Sequence, residues 1–185
     1  GKIETMGSSS LALHITAGKI TMNGGTILSG DKVINSSDSV PVVKTTKGTF
    51  CMTGGALFSE NDAVPLDTNS TFSGAITIEG TAEVSSLKTA AIRMEAGFVS
   101  LGVLTIGGEA AIRGESFAVS FTEMANDYGM NQYWPEVNID SGYFSCGEDY
   151  IPISDTSVVS FPEGYVLDTK ESAEKSGYYT LASKE

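Results

Sequence analysis

A short pattern that recurs along the chain constrains its fold more than any other feature. Each copy places two apolar residues around a small polar residue and then enters a turn that contains glycine. The copies are Ile20-Thr21-Met22-Asn23-Gly24-Gly25, Phe50-Cys51-Met52-Thr53-Gly54-Gly55, Ile76-Thr77-Ile78-Glu79-Gly80, Leu104-Thr105-Ile106-Gly107-Gly108 and Val137-Asn138-Ile139-Asp140-Ser141-Gly142. Self-similarity at a spacing of roughly 20 to 50 residues is typical of stacked repeat architectures.

A second series lies between these copies, with a small residue or a proline between apolar residues. Its members are Leu11-Ala12-Leu13, Val40-Pro41-Val42, Val64-Pro65-Leu66, Ala90-Ala91-Ile92, Phe117-Ala118-Val119 and Ile151-Pro152-Ile153, with middle residues 29, 24, 26, 27 and 34 positions apart. Short strands at such steps fit coils that stack about 4.8 Å apart, whereas propeller blades need about 40 or more residues. The sequence therefore predicts an all-β, single-stranded, right-handed parallel β-helix (β-solenoid) of about five to six coils.

Alternation along each strand assigns its two faces, because successive side chains point to opposite sides. The predicted interior pairs are Ile20 and Met22, Phe50 and Met52, Ile76 and Ile78, Leu104 and Ile106, and Val137 and Ile139. The predicted outward ladder is Thr21, Cys51, Thr77, Thr105 and Asn138. Because a proline cannot donate to a strand ladder, we place Pro41, Pro65 and Pro152 at strand starts. Residues 1–185 form one domain in this interpretation, and residues 156–185 cap its end.

The charge balance excludes some partners. Acidic residues outnumber basic ones 23 to 11, which gives a net charge of −12. Such a chain has no basic stripe for phosphates or an anionic membrane, and no apolar run approaches the roughly 18 to 20 residues of a membrane span. We expect neither nucleic acid binding nor membrane insertion, and nothing in the sequence sets an oligomeric state. Cys51 and Cys146 lie several predicted coils apart, too far to form a disulfide.

The glycine corners resemble those of a known group. The segment Ile20-Thr21-Met22-Asn23-Gly24-Gly25-Thr26-Ile27 resembles the Gly-Gly-Thr β-helix repeats of large bacterial surface proteins, some described as pectate-lyase-like or carbohydrate-binding. The later segments Asp140-Ser141-Gly142-Tyr143-Phe144-Ser145, Phe161-Pro162-Glu163-Gly164-Tyr165 and Tyr178-Tyr179-Thr180-Leu181 are similar to the ends of such arrays. The resemblance implies that the chain is part of a longer exported or cell-surface protein. It implies glycan binding in some members and no catalytic residue.

An enlarged coil over residues 121–136 contains the single tryptophan. Aromatic rings stack on the C–H faces of sugars, while amides and carboxylates hydrogen-bond to sugar hydroxyls. This pattern predicts a glycan-binding site at Asp127, Tyr128, Gln132, Tyr133 and Trp134. The alternative is an inserted loop whose aromatic residues cover the side of the helix.

Two other patterns have both a functional and a structural interpretation. The predicted outward row on the proline and alanine strands is His14, Val43, Asp67, Arg93, Ser120 and Ser154. A carboxylate beside a guanidinium suits a polyuronate-cleaving site or an ordinary cross-strand ion pair. Acidic residues also follow several second strands, at Asp31, Glu60, Asp62, Glu115, Glu148 and Asp149. Stacking could bring some of them within reach of one calcium ion, but they lack the spacing of a dedicated calcium loop. We interpret them as a solvated acidic row and predict no metal site or cofactor.

These observations favour a non-catalytic secreted or cell-surface module for adhesion or for binding a polysaccharide or host surface glycan. A rigid spacer without a ligand is the first alternative. A lyase or hydrolase that acts on acidic glycans is the second.

Overall fold

The computed structural model describes residues 1–5, 11–29, 41–97, 102–123 and 131–184. Short strands of two to four residues alternate with tight turns, and one 3₁₀ turn, Thr156–Val158, follows the last full coil. The strands are β1 Lys2–Thr5, β2 Leu13–Ile15, β3 Lys19–Met22, β4 Thr26–Ser29, β5 Val43–Thr45, β6 Thr49–Met52, β7 Ala56–Ser59, β8 Leu66–Thr68, β9 Ala75–Ile78, β10 Glu83–Ser86, β11 Ile92–Glu95, β12 Val103–Ile106, β13 Ala111–Arg113, β14 Val119–Thr122, β15 Glu136–Ile139, β16 Tyr143–Ser145, β17 Val159–Ser160, β18 Tyr165–Leu167 and β19 Leu181–Ser183.

Three parallel sheets run along the stack; from β1 to β16 every third strand joins the same sheet, and β17 then joins sheet C. Sheet A has the order β1-β4-β7-β10-β13-β16, sheet B the order β14-β11-β8-β5-β2, and sheet C the order β17-β15-β12-β9-β6-β3. This is the predicted parallel β-solenoid. The five strands of sheet B mark about four complete turns, slightly fewer than the five to six coils expected.

The interior is a set of apolar columns shared by neighbouring coils. In sheet C the column Met22, Met52, Ile78, Ile106 and Ile139 is in register, and so is the column Ile20, Phe50, Ile76, Leu104 and Val137. All ten side chains belong to the core or, for Ile20, pack against it, so the predicted inward face is confirmed. The ladder of Thr21, Cys51, Thr77, Thr105 and Asn138 is also in register on the outer face.

The turn after each sheet C strand uses glycine with a positive φ. The φ angle lies between 62° and 126° at all five corners, at Gly25, Gly55, Gly80, Gly108 and Gly142. The two corners that lack a Gly-Gly pair, at Gly80 and Gly142, therefore also place a glycine at the positive-φ position. A Cβ atom at Gly55 would lie 2.6 Å from the carbonyl oxygen of Gly25 in the coil below. Glycine is therefore needed both for the turn and for the close approach of coils.

The register of sheet B corrects one sequence assignment. Val43 was expected on the outer face, but it is fully buried and aligns with Leu13 and Leu66. Lys44 takes the outward position between His14 and Asp67. The alignment was one residue off in this coil because Val42 and Val43 are both apolar and both buried, and a slip of one residue exchanges the faces.

Each proline lies just before a strand or bridge of sheet B: Pro41 two residues before β5, Pro65 one residue before β8, and Pro152 one residue before the bridge at Ile153. The carbonyls of Pro65 and Pro152 accept ladder hydrogen bonds from the N–H groups of Val43 and Val119, at 2.9 and 3.0 Å. Proline keeps its acceptor although it has no donor, which explains why it is tolerated at these points.

The segment after the last full coil folds back over it. β17 pairs with β15, β18 and β19 form an antiparallel pair, and Phe144 forms an antiparallel bridge with Tyr179. Within the described residues, no helix has the length and hydropathy that crossing a bilayer requires.

Candidate functional site

The best candidate for a functional site is a groove at the end of sheet B, beside Trp134. β14 is the last strand of that sheet, and the chain of the next coil pairs with it only at the bridge between Val119 and Ile153. After this bridge the chain turns away, and the Ser154 hydroxyl accepts a hydrogen bond from the N–H of Phe121 at 2.9 Å. The departure of the chain leaves an open cleft along β14.

The cleft, which we call the Trp134 groove, has a volume of about 520 Å³. Its lining combines aromatic and hydroxyl side chains with two carboxylates. The lining residues are Ala90, Ser116, Phe117, Ser120, Phe121, Thr122, Glu123, Trp134, Ser154 and Asp155. The volume lies within the range of roughly 300 to 1,000 Å³ that is typical of small-molecule sites.

Trp134 forms one wall of the groove. It is half-buried and meets Phe121 edge to face, with ring centroids 5.6 Å apart and an interplanar angle of 88°. This perpendicular arrangement is a favoured geometry for aromatic pairs. The contact fixes the orientation of the indole while leaving part of its surface accessible to a ligand.

The polar groups of the groove come from separate coils. The Ser120 hydroxyl donates to the carbonyl oxygen of Ile92 at 3.3 Å, and Thr122 is exposed at the end of β14. Asp155 accepts from both the hydroxyl and the N–H of Ser157, at 2.6 and 2.9 Å. These two hydrogen bonds lower the pKa of the Asp155 carboxyl, which is therefore ionised at neutral pH. Both bonds end on Oδ1, so Oδ2 retains accepting capacity for a ligand hydroxyl.

The structure places the sequence-predicted site residues in different surroundings. Trp134 lines the groove, but Gln132 and Tyr133 do not. Gln132 is half-buried. Tyr133 is 53% exposed. Its backbone N–H donates to the carbonyl of Gly97, and its carbonyl accepts from the N–H of Gly97. Asp127 and Tyr128 lie outside the described residues.

Several groove residues were not predicted as a site. Ser120 and Ser154 were assigned to the outward row, but nothing connected that row with Trp134. Phe117 and Asp155 are separated from Trp134 by 17 and 21 positions and reach the groove only through the stacking of coils. The available signal was that Ser154 and Asp155 directly follow the last proline strand, where the chain must leave the sheet.

An ion pair lies next to the groove on the same outer face. The Arg93 Nε and Nη2 atoms donate to Asp67 Oδ1 and Oδ2, at 2.8 and 3.0 Å, and Asp67 is 2% exposed. The predicted adjacency of these two residues is therefore confirmed, in register between β8 and β11. Arg93 is also in register with Ser120 of the groove. His14, which bonds to Thr46 Oγ1 at 3.1 Å, lies on β2, at the opposite end of sheet B from β14.

Glu95 extends this outer face and is in register with Thr122. The pKa of its carboxyl is raised above the ordinary value of 4.5, mainly by burial and then by the nearby Asp67 carboxylate. The N–H of Ser70 and the charges of Arg93 and Lys44 act in the opposite direction but do not outweigh these effects. The folded state therefore holds its proton at pH values where the unfolded chain has lost it.

We expect Glu95→Gln to raise the melting temperature at pH 7 and to have little effect at pH 4. Ionisation of Glu95 reduces the free energy of unfolding as pH rises from the ordinary value through the raised pKa, and glutamine removes that ionisation while keeping an acceptor oxygen. Thermal melts of both proteins across pH 4 to 8 measure the difference. A variant that is less stable than the unmodified protein at pH 7 would show that the carboxylate is net stabilising.

Within the described ranges, no three His, Cys, Asp or Glu side chains are grouped so that they could hold a metal ion. Cys51 and Cys146 are unpaired. The Cys146 thiol bonds to the carbonyl oxygen of Tyr150 at 3.1 Å, and burial raises its pKa. Neither cysteine lines the groove.

Comparison with known proteins gives no match: no protein-family model, no curated protein and no solved structure is significantly similar to the chain.

Proposed function

We propose that this chain is a non-catalytic module of a secreted or cell-surface protein and that it binds a glycan in the Trp134 groove. The observation that carries the proposal is the meeting of an oriented, partly exposed indole with hydroxyl and carboxylate groups in one open cleft. An aromatic face can stack on the C–H face of a sugar while Ser120, Thr122 and Asp155 exchange hydrogen bonds with its hydroxyls.

The scaffold suits this role because it separates stability from recognition. The apolar columns inside the coils hold the fold together, so side chains on the outer surface can change without opening the interior. The groove lies on the outer surface at the end of sheet B, outside the apolar interior, where a polysaccharide could bind without disturbing the core. Display of such grooves on a surface protein gives adhesion through many weak contacts.

The proposal is tested by comparing Trp134→Leu, Trp134→Phe and Tyr133→Ala on a broad glycan array and by calorimetry with any bound glycan. Leucine keeps apolar volume against Phe121 but removes the ring, so we expect binding to fall at least about tenfold, or about 1.4 kcal/mol. Phenylalanine should retain part of the affinity. Tyr133→Ala is the matched control, because Tyr133 is exposed outside the groove.

The melting temperatures of the same variants show whether Trp134 contacts a ligand or covers the side of the solenoid. Loss of the edge-to-face pair should cost only about 0.5 to 1.5 kcal/mol, a fall of roughly 2 to 6 °C in melting temperature. A much larger fall, together with no glycan bound by the unmodified protein, would identify Trp134 as a cover and favour the spacer. Release of unsaturated or reducing sugar from polyuronates by the unmodified protein would favour the enzyme.

A further inference from the structure

From the charges that surround the Trp134 groove, we infer that it selects uncharged glycans and discriminates against those that carry carboxylate or sulfate groups. This inference rests on the proposed function, since it specifies the class of ligand for that same site.

The part of the chain that builds the groove is strongly acidic. Residues 114–169 contain ten aspartates and glutamates and no lysine, arginine or histidine. Nine of the ten described lining residues belong to this stretch, and Ala90 is the other. Most of the net charge of −12 therefore lies in the coils at this end of the solenoid.

Two carboxylates belong to the groove itself. Glu123 is exposed and directly follows β14, and Asp155 is held by two hydrogen bonds from Ser157. Glu95 stands beside them, in register with Thr122. An acidic sugar in the groove would bring a further negative charge next to the Glu123 and Asp155 carboxylates, and like charges on an exposed surface repel, most strongly at low salt.

Arg93, the cation on the strand next to β14, is already engaged. Arg93 is in register with Ser120, but two of its nitrogens donate to the carboxylate of Asp67. Asp67 is almost fully buried, so a ligand carboxylate that captured Arg93 would leave a buried charge without its partner. That exchange is unfavourable, and the charge of the guanidinium is already balanced by Asp67 and offers an acidic glycan little net attraction.

The test compares matched glycans with the unmodified protein. Suitable pairs are xylo-oligosaccharides with and without glucuronate branches and oligogalacturonides with free and methyl-esterified carboxyls, placed on an array with other neutral and sulfated glycans. We expect every bound glycan to be uncharged, and acidic counterparts to bind at least about tenfold more weakly at low salt. The difference should shrink as salt is raised from 50 to 500 mM, because salt screens charges but not shape.

Two variants with the same change in net charge test whether the discrimination against acidic glycans arises in the groove itself. Glu123→Lys should raise the affinity for the acidic member of a pair at least about fivefold, whereas Glu163→Lys, an exposed residue outside the groove, should not. Equal binding of acidic and neutral forms, both lost in Trp134→Leu, would overturn this inference and leave the glycan-binding proposal intact. Absence of binding to every glycan would instead remove the proposed function.

Discussion

Replacement of Ile78 with aspartate is expected to unfold the domain. Ile78 is fully buried and lies in register between Met52 of the coil below and Ile106 of the coil above. Aspartate would remove an apolar side chain from both contacts and place a carboxyl group in the column without a partner. We expect a cost on the order of 5 kcal/mol, which is comparable to the whole free energy of unfolding of a typical domain.

Circular dichroism melts and size-exclusion chromatography measure this effect, and Thr77→Ser is the matched control. Thr77 neighbours Ile78 but points to the outer ladder between Cys51 and Thr105, where loss of one methyl group should change the melting temperature by only a few degrees. A folded Ile78→Asp protein with an unchanged melting point would contradict the inward assignment of this column and the packing that depends on it.

The sheet C repeat made much of the fold predictable, because every coil repeats the same alternation of apolar and polar residues before a glycine corner. Sheet B was less certain, since consecutive apolar residues such as Val42 and Val43 allow two registers. The burial of polar side chains was not predicted, although the pairing of Asp67 with Arg93 was. Asn61 lies between two acidic residues in the sequence, yet it is buried and bonds to Ser29 and Ser59 of two coils.

The candidate site was predictable only where it is local in sequence. The enlarged coil identified Trp134, but Ser154 and the Asp155 carboxylate come from a later turn of the solenoid. Their approach depends on where the chain leaves β14, which is set by the bridge between Val119 and Ile153 and not by a motif. The sequence signal for such a groove is the outward row of sheet B, followed to its last members, Ser120 and Ser154, where the sheet ends.

Residues 156–184 cover the end of the solenoid after β16. Parallel coils end in strands with unpaired backbone groups and an apolar cross-section, both of which promote aggregation when exposed. Here β17 pairs with β15. The N–H of Phe144 donates to the Tyr179 carbonyl at 2.8 Å, and the Phe144 carbonyl accepts from the N–H of Tyr179 at 2.7 Å. Val159, Phe161, Leu167 and Leu181 pack against the core from this segment.

Truncation after Asp155 is therefore expected to give aggregated protein or a domain with a much lower melting temperature. It removes the pairing partner of β15, the bridge at Phe144 and all four apolar contacts, while the strands of the last full coil remain in the chain. Removal of residues 184–185 alone is the control, because it keeps every one of these contacts. Light scattering, size-exclusion chromatography and thermal melts of both truncations separate aggregation from simple destabilisation. A soluble monomer with an undiminished melting point would show that the last coil is stable without this segment, and residues 156–185 would then have a role other than capping.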